Sequence, residues 1–242
     1  MESVNQSINP FPNIHYRDFE IVKVSAVNEG IPPNRMLCQL PAGPMLVNTS
    51  RWIEGTYMDH AAHNLNRKIL PVGPLLQYPA AAPEGEEQHQ NIDLIQWLAE
   101  KEEHSAFFAS FGSEYFLTKE EIIEIAFGLE LSDNVNFIWA LRLPKGEENR
   151  VQLEQILPEG FLERVRDRRR AVQGGAPQAL ISGHSSIGGF ISHCGWGSVL
   201  EAIEFGVPIL AMPMNYEQPL NARLMVENGL AVEIMRDEKG DL

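Results

Sequence analysis

Two short loops in this chain carry residues suited to gripping an anion beside a polyhydroxyl compound. The first is Ser110-Phe111-Gly112-Ser113 and the second is His193-Cys194-Gly195-Trp196-Gly197-Ser198. Glycines let the backbone approach an anion closely, and a helix that starts at such a loop offers free N–H groups and the positive end of its dipole. His193 and Ser198 can donate to phosphate oxygens. Glu201, in the first turns of the following segment, can accept from a diol, and the acid–amide pair Glu217-Gln218 can grip further hydroxyls. Each of these residues also has an ordinary structural reading when taken singly. A histidine at a strand end is commonly a satisfied structural group, and an acid near a helix start is favourable for dipole reasons alone. A zinc site built from His184, His193 and Cys194 lacks any recognised ligand spacing.

The elements that must position these loops follow from periodicity. SAFFASF (105–111) is a continuous apolar run of the kind that forms a strand buried on both faces. Thr118 precedes a helix running to Leu131, with Glu121 placed as a capping-box partner. NFIWALR (136–142) predicts a strand, 158–168 a helix, and 171–173, 188–193, 207–213 and 230–235 further strands. Helices are predicted at about 177–182, 197–205 and 217–228. Strand–helix alternation at this spacing gives right-handed βαβ units and a parallel sheet. The expected fold class is therefore α/β, a Rossmann-like parallel sheet flanked by helices. Ligands of such sheets sit beyond the carboxyl ends of the strands, which is where both loops fall.

Upstream, MLVNT (45–49) reads as a short strand, 51–66 as a helix and 68–75 as a strand. QYPAAAPEGEEQHQ (77–90) is rich in Pro, Ala and Glu and reads as an interdomain linker. Asn91–Glu100 predicts an amphipathic helix with Ile92, Ile95 and Trp97 inward. Residues 1–44, interrupted by prolines, show no strand–helix alternation. The expected division is 1–76, a linker at 77–90, and 91–242.

The chain has 242 residues, 44% hydrophobic and 21% charged, which is an ordinary globular composition. Nineteen Lys and Arg face 33 Asp and Glu, a formal charge of -14. So acidic a surface disfavours nucleic acid and anionic membranes as partners, and any phosphate site must be made locally from amides and a few polar side chains. Cys38 and Cys194 are far apart and lack a CxxC spacing, which suits a reducing compartment. No signal-type or membrane-spanning run is present in the sequence, so a cytoplasmic location is expected.

The segment Gly175–Gln218 resembles the 44-residue UDP-sugar-binding box of the plant secondary-metabolite UDP-glycosyltransferases. That box runs W-A-P-Q, H, H-C-G-W-N-S, E, G-V-P, P and D/E-Q at fixed offsets. Here those offsets hold Ala176-Pro177-Gln178, His184, His193-Cys194-Gly195-Trp196, Ser198, Glu201, Gly206-Val207-Pro208, Pro213 and Glu217-Gln218. FGSEYFLTKEE, LPEGFLERV and HSSIGGF are similar to members that add a sugar to an existing glycoside. MLVNTSRWIEG and ILPVGPL resemble the last part of the family's N-terminal half.

The resemblance implies a GT-B fold, in which 1–76 is a remnant of the acceptor-binding domain and 91–242 is the donor-binding domain. It implies inverting, metal-independent transfer of a hexose from a UDP-sugar to a hydroxyl of a small plant metabolite or its glycoside. It further places His193 and Ser198 at the diphosphate together with Ser113, beside the loop positions Gly195 and Gly197. Ala176 and Gln178 fall near the uracil, Glu201 at the ribose, and Trp196, Glu217 and Gln218 at the hexose. The terminal Gln is similar to glucose-using members, so UDP-glucose is the expected co-substrate, with no further cofactor and no metal.

Three positions depart from the pattern. Gly175 stands where the family has the Trp that stacks on uracil, and Gly197 stands where it has Asn. The family's general-base histidine and its aspartate have no counterpart, and His15, His60 and His63 lie in the wrong context. The expectation is thus a chain truncated at both ends that transfers little by itself. The alternative is a non-catalytic nucleotide-sugar-binding fragment or pseudoenzyme. A nicotinamide oxidoreductase is disfavoured because FGSEYF lacks the G-x-G-x-x-G fingerprint. Oligomeric state is not legible. Restoring the aromatic platform with Gly175→Trp should tighten UDP binding about ten- to a hundredfold by calorimetry, the size of a base–aromatic stack; an unchanged affinity would show that this position has no contact with the base.

Overall fold

Large apolar side chains alternate on both faces of the central strands, so the sheet has to be covered on both sides. The computed structural model describes residues 11–27, 43–76, 86–132, 135–144, 152–174, 176–238 and 240. The main sheet contains β3 (Ala106–Ser110), β4 (Asn136–Leu141), β5 (Arg169–Gln173), β6 (Ile187–Ser192), β7 (Ile209–Ala211) and β8 (Ala231–Glu233). All are parallel, in the order β5-β4-β3-β6-β7-β8. The chain therefore starts in the middle, winds outward to β5, then returns to β6 and winds outward the other way. The reversal falls between β3 and β6, the topological switch point at which doubly wound folds bind ligands.

Phe108, Ile138 and Phe190 point to one face and are fully buried there. They pack with Leu94, Trp97 and Leu98 of α3 (Glu86–Ala99), Val199 and Leu200 of α8 (Trp196–Phe205), and Met225 of α9 (Gln218–Glu227). Their sequence neighbours Ala109, Trp139 and Ile191 point the other way. That face is closed by Ile122, Ile125 and Leu129 of α4 (Lys119–Leu131) and by Phe161 of the short helix α6 (Phe161–Arg164). The Phe108 and Phe190 rings stack at 5.1 Å across the switch point.

A smaller βαβ unit precedes this sheet: β1 (Met45–Val47), α2 (Arg51–Leu65) and β2 (Ile69–Pro71), with β1 and β2 parallel. Ser50 caps α2, and Asn66 ends it in the left-handed conformation. Ile53 joins the core of the main sheet, and the Tyr57 hydroxyl donates to Glu227 at 2.6 Å. Before it, α1 (Asp18–Val27) is tied to α9 by the ion pair of Glu20 with Arg223, and Arg17, just ahead of α1, pairs with Glu233 of β8.

Several expectations are adjusted. Helix α3 starts at Glu86, five residues inside the stretch read as linker. Its inward face is Leu94, Trp97 and Leu98 with Ile95 partly buried, whereas Ile92 is exposed. The helix expected over 158–168 is a single turn, α6, because Gly160 adopts φ +71 immediately before it; a separate turn, α5 (Leu153–Ile156), precedes it. The α1 helix was not legible, since its apolar residues have almost no helical periodicity. The Thr118–Glu121 capping box forms as expected, with both hydrogen bonds present. Helix α7 spans Gln178–Ser182. Cys38, Gly175 and residues 77–85 of the expected linker lie outside the described residues. Among the described residues no helix is long and apolar enough to cross a membrane.

Phe190→Ala, which empties a fully buried site at the switch point, should lower unfolding free energy by about 3–5 kcal/mol in urea titrations. Leu131→Ala, at an 80% exposed position, should change it by less than about 0.5 kcal/mol; equal effects would contradict this assignment of the core.

Candidate functional site

The switch point brings the ends of β3 and β6 side by side, and the two glycine loops meet there. They wall a cavity of about 480 Å³ lined by Gly112, Ser113, Glu114, Tyr115, His193, Gly195, Trp196, Gly197, Ser198, Tyr216, Glu217 and Gln218. The glycines are dictated by packing. A Cβ on Gly112 or on Gly195 would lie 2.5 Å from His193 Nε2, so the imidazole fills the space of both missing side chains. Gly112 also has φ +79, a conformation that disfavours other residues.

After β6 the chain turns sharply through Cys194, a non-glycine residue at φ +64. Such a conformation persists only where surroundings over-determine it. Ser192 Oγ accepts from the Cys194 amide at 3.1 Å, and Asn221 Nδ2 donates to the Cys194 carbonyl at 2.9 Å. The turn delivers Gly195 as the N-cap of α8 with no side chain capping it, so the first-turn amides at residues 196–198 are unclaimed by a cap, and all three residues line the cavity. The Cys194 thiol is pushed up to about 12, by burial first and Glu233 second, so it is inert.

His193 is buried, and burial holds its imidazole down to about 4, while the Ser110 carbonyl pulls weakly upward. Nδ1 has no partner in hydrogen-bonding geometry. Ser198 Oγ accepts from Gln178 Nε2 at 3.1 Å, which leaves the hydroxyl hydrogen free to donate. The same Nε2 donates to Glu201 Oε2 at 2.6 Å. Burial raises the Glu201 carboxyl and the Gln178 bond offsets it. Gln178, Ser198 and Glu201 thus form one polar string along the side of the cavity.

At the far wall, Gln218 Oε1 accepts from the amides of Met214 and Asn215 at 3.0 and 2.8 Å. With its oxygen committed to the loop, Gln218 has its amide N–H groups to offer a ligand. Glu217 is exposed beside it at the N-cap of α9. The Trp196 indole N–H donates to the Asn48 carbonyl at 2.7 Å, which ties the cavity wall to the β1–α2 turn instead of leaving that N–H for a ligand. Tyr115 donates to Glu121, which also caps α4, so the loop after β3 is anchored to the helix that follows it.

The structure therefore brings Ser113, His193, Gly195, Trp196, Gly197, Ser198, Glu217 and Gln218 to one cavity, with Gln178 and Glu201 linked to it through Ser198. Ala176 packs against the core and does not line the cavity. His184 sits at the opposite end of β6, bonded to Ser186, so it cannot join His193 and Cys194 around one ion. Among the described residues no group of three His, Cys, Asp or Glu is arranged to hold a metal. None of His15, His60 and His63 lines the cavity. Glu114, Tyr115 and Tyr216 line it without having been singled out, because nothing in their local sequence marks them. Among the described residues no Lys or Arg lines it either, so an anion held by them must rest on neutral donors.

The depressed His193 value fixes a pH dependence. In the unfolded chain the imidazole protonates near 6.5, and in the folded one only near 4, so the unfolded state binds more protons in between. This contribution to stability is complete above about pH 6.5 and is lost as pH falls toward 4. His193→Gln should remove on the order of 2–3 kcal/mol of the stability change between pH 7 and 4.5 in urea titrations; an imidazole that titrates by NMR near its ordinary value would contradict the burial.

Over residues 79–239 the chain matches the protein family described as UDP-glucoronosyl and UDP-glucosyl transferase. It is 49% identical over 243 residues to the beta-D-glucosyl crocetin beta-1,6-glucosyltransferase of Gardenia jasminoides, an alignment covering 96% of this chain and 52% of that protein. It is 43% identical over 245 residues to the flavanone 7-O-glucoside 2''-O-beta-L-rhamnosyltransferase of Citrus maxima, covering 97% and 52%. Among solved structures, a UGT transferase from Siraitia grosvenorii in complex with UDP shares the fold with a TM-score of 0.70 at 39% identity, over 80% of this chain and 45% of that one. The chain spans about half the length of the curated relatives it matches. From the sequence match and the shared doubly wound sheet, this chain belongs to the UDP-glycosyltransferase family, with the GT-B type of α/β fold.

Proposed function

We propose that the cavity at the β3/β6 switch point binds a UDP-hexose, with UDP-glucose as the first candidate. The observation that carries this reading is the convergence of Ser113, His193, Ser198 and the start of α8 with Glu217 and Gln218 on one cavity. The α8 amides, Ser198 and His193 would take the diphosphate, Glu201 the ribose diol, and Gln218 Nε2 with Glu217 the hexose hydroxyls. A neutral, preorganised set of donors suits a diphosphate that must also leave as UDP. The donors named by the relatives differ in sugar, glucosyl in one and rhamnosyl in the other. UDP-glucose is preferred here on Gln218.

In the reaction of the whole enzyme, a hydroxyl oxygen of a small plant metabolite or its glycoside would attack the anomeric carbon as the bond to UDP breaks, inverting that carbon. The hydroxyl proton would pass to a base. No residue of this chain is assigned that role, so the 242-residue chain is proposed to bind donor and, alone, to transfer little. Residues 1–76 would belong with the acceptor-binding half, and the donor-binding half would begin with α3. Metal independence and a cytoplasmic setting complete the proposal. The second reading, a non-catalytic nucleotide-sugar-binding protein, is favoured specifically by glycine at 175 and 197 in place of the family's Trp and Asn.

Calorimetry should show UDP and UDP-glucose binding that is unchanged by EDTA. Ser198→Ala and His193→Ala should each weaken UDP about ten- to a hundredfold, as for a lost hydrogen bond to a charged group. Absence of binding, or binding that needs a divalent ion, would overturn the assignment. Turnover of UDP-glucose onto a flavonoid or terpenoid glycoside by this chain alone would overturn the absence of a base.

A further inference from the structure

Four charged side chains, Arg17, Glu20, Arg223 and Glu233, cluster beside α9 outside the cavity lining. Arg223 Nη2 lies 2.8 Å from both carboxylate oxygens of Glu20, and its Nη1 donates back to the Pro219 carbonyl at 3.2 Å. Arg17 makes a forked pair with Glu233 of β8 at 2.8 and 3.1 Å, and its amide donates to Glu20 Oε2 at 2.6 Å. Glu20 and Arg223 are only 5% and 8% exposed. Glu20 and Arg223 lie 203 residues apart in the chain.

Charges this deeply buried are a poor source of net stability, because removing them from water costs about as much as their attraction returns. What this arrangement does supply is direction: with Nη2 on the Glu20 carboxylate and Nη1 on the Pro219 carbonyl, two nitrogens hold the Arg223 guanidinium in one orientation. Here the fixed guanidinium folds back over the turn that begins with Glu217, Gln218 and Pro219. Gln218 has its carbonyl oxygen locked by the 214–215 amides, so the position of its N–H groups follows the helix start. The same α1-side segment carries Tyr16, which lies within electrostatic reach of Glu217, Glu20 and Arg223.

We propose that the Glu20–Arg223 pair is a positioning element of the hexose subsite, setting the first turn of α9 and thereby Glu217 and Gln218 from a segment far away in sequence. The inference rests on the UDP-hexose reading of the cavity. UDP would rest on the ends of β3 and β6 and on α8, whereas the hydrogen bonds of the pair go to Arg17 and Pro219, so its effect should fall on the sugar. Displacements near 1 Å at a positioning group are enough to lose about tenfold or more.

The test is calorimetry with UDP and with UDP-glucose on the 242-residue chain, on Glu20→Gln and on Arg223→Lys, with melting temperatures measured in parallel. Glu20→Gln should weaken UDP-glucose about tenfold while UDP changes by less than about twofold. Arg223→Lys keeps the charge but has one nitrogen where the guanidinium uses two, on Glu20 and on the Pro219 carbonyl, and should show the same selectivity with a smaller loss. If both ligands weaken equally, or melting temperature falls with neither affinity changed, the pair is structural only and the proposal fails. If the parent chain binds UDP but the variants keep the parent's ratio, the UDP site stands and the positioning role does not. If the parent binds neither ligand, the reading of the cavity falls and takes this inference with it.

Discussion

The site depends on one packing constraint: the His193 imidazole occupies the space where Gly112 and Gly195 would otherwise carry side chains. The constraint works in both directions. It demands glycine on both loops at the switch point, and those glycines bring the backbone close enough to present amides to a ligand. It also buries the imidazole, which is why the histidine stays neutral and oriented. The strained turn at Cys194, held by Ser192 and Asn221, then sets where α8 begins. Remove the close approach of β3 and β6 and none of these relations survives.

The second feature is electrostatic. In a chain with so strong an acidic excess, the described residues that line the cavity include two carboxylates and no lysine or arginine. An anion held there would rest on local donors, the start of α8 with hydroxyl and imidazole groups. The positive side chains nearby are spent on ion pairs that hold elements together, as Arg17 and Arg223 hold α1 to β8 and α9. The polar string Gln178–Ser198–Glu201 has the same logic. It keeps half-buried groups satisfied before any ligand arrives, and leaves one hydroxyl hydrogen free.

Much of this was legible in the residues because the relevant signals are local. Apolar runs at 105–111 and 136–142 mark strands covered on both faces, and alternation with helices gives the parallel sheet. The Thr118 capping box is readable from two residues. The fixed offsets from Ala176 to Gln218 mark the site itself. What escaped depends on distant neighbours. The α1 helix is held by charges more than two hundred residues away, and its own sequence has no apolar stripe. Gly160, read as part of a helix, takes a left-handed conformation and shortens it to a turn. Trp196 lines the cavity, and its N–H is committed to a carbonyl in the β1–α2 turn, a bond that no pattern within the box could reveal. Glu114, Tyr115 and Tyr216 reach the cavity only through the shapes of their loops.

The most direct test of the central claim is an amide-resolved NMR titration of the 242-residue chain with UDP. If the switch-point backbone holds the diphosphate, the largest shifts will fall on the amides of Gly112, Ser113 and residues 195–198, with those of the β1–α2–β2 unit nearly still. Saturating UDP that leaves these amides unmoved, or moves amides elsewhere instead, would contradict the account.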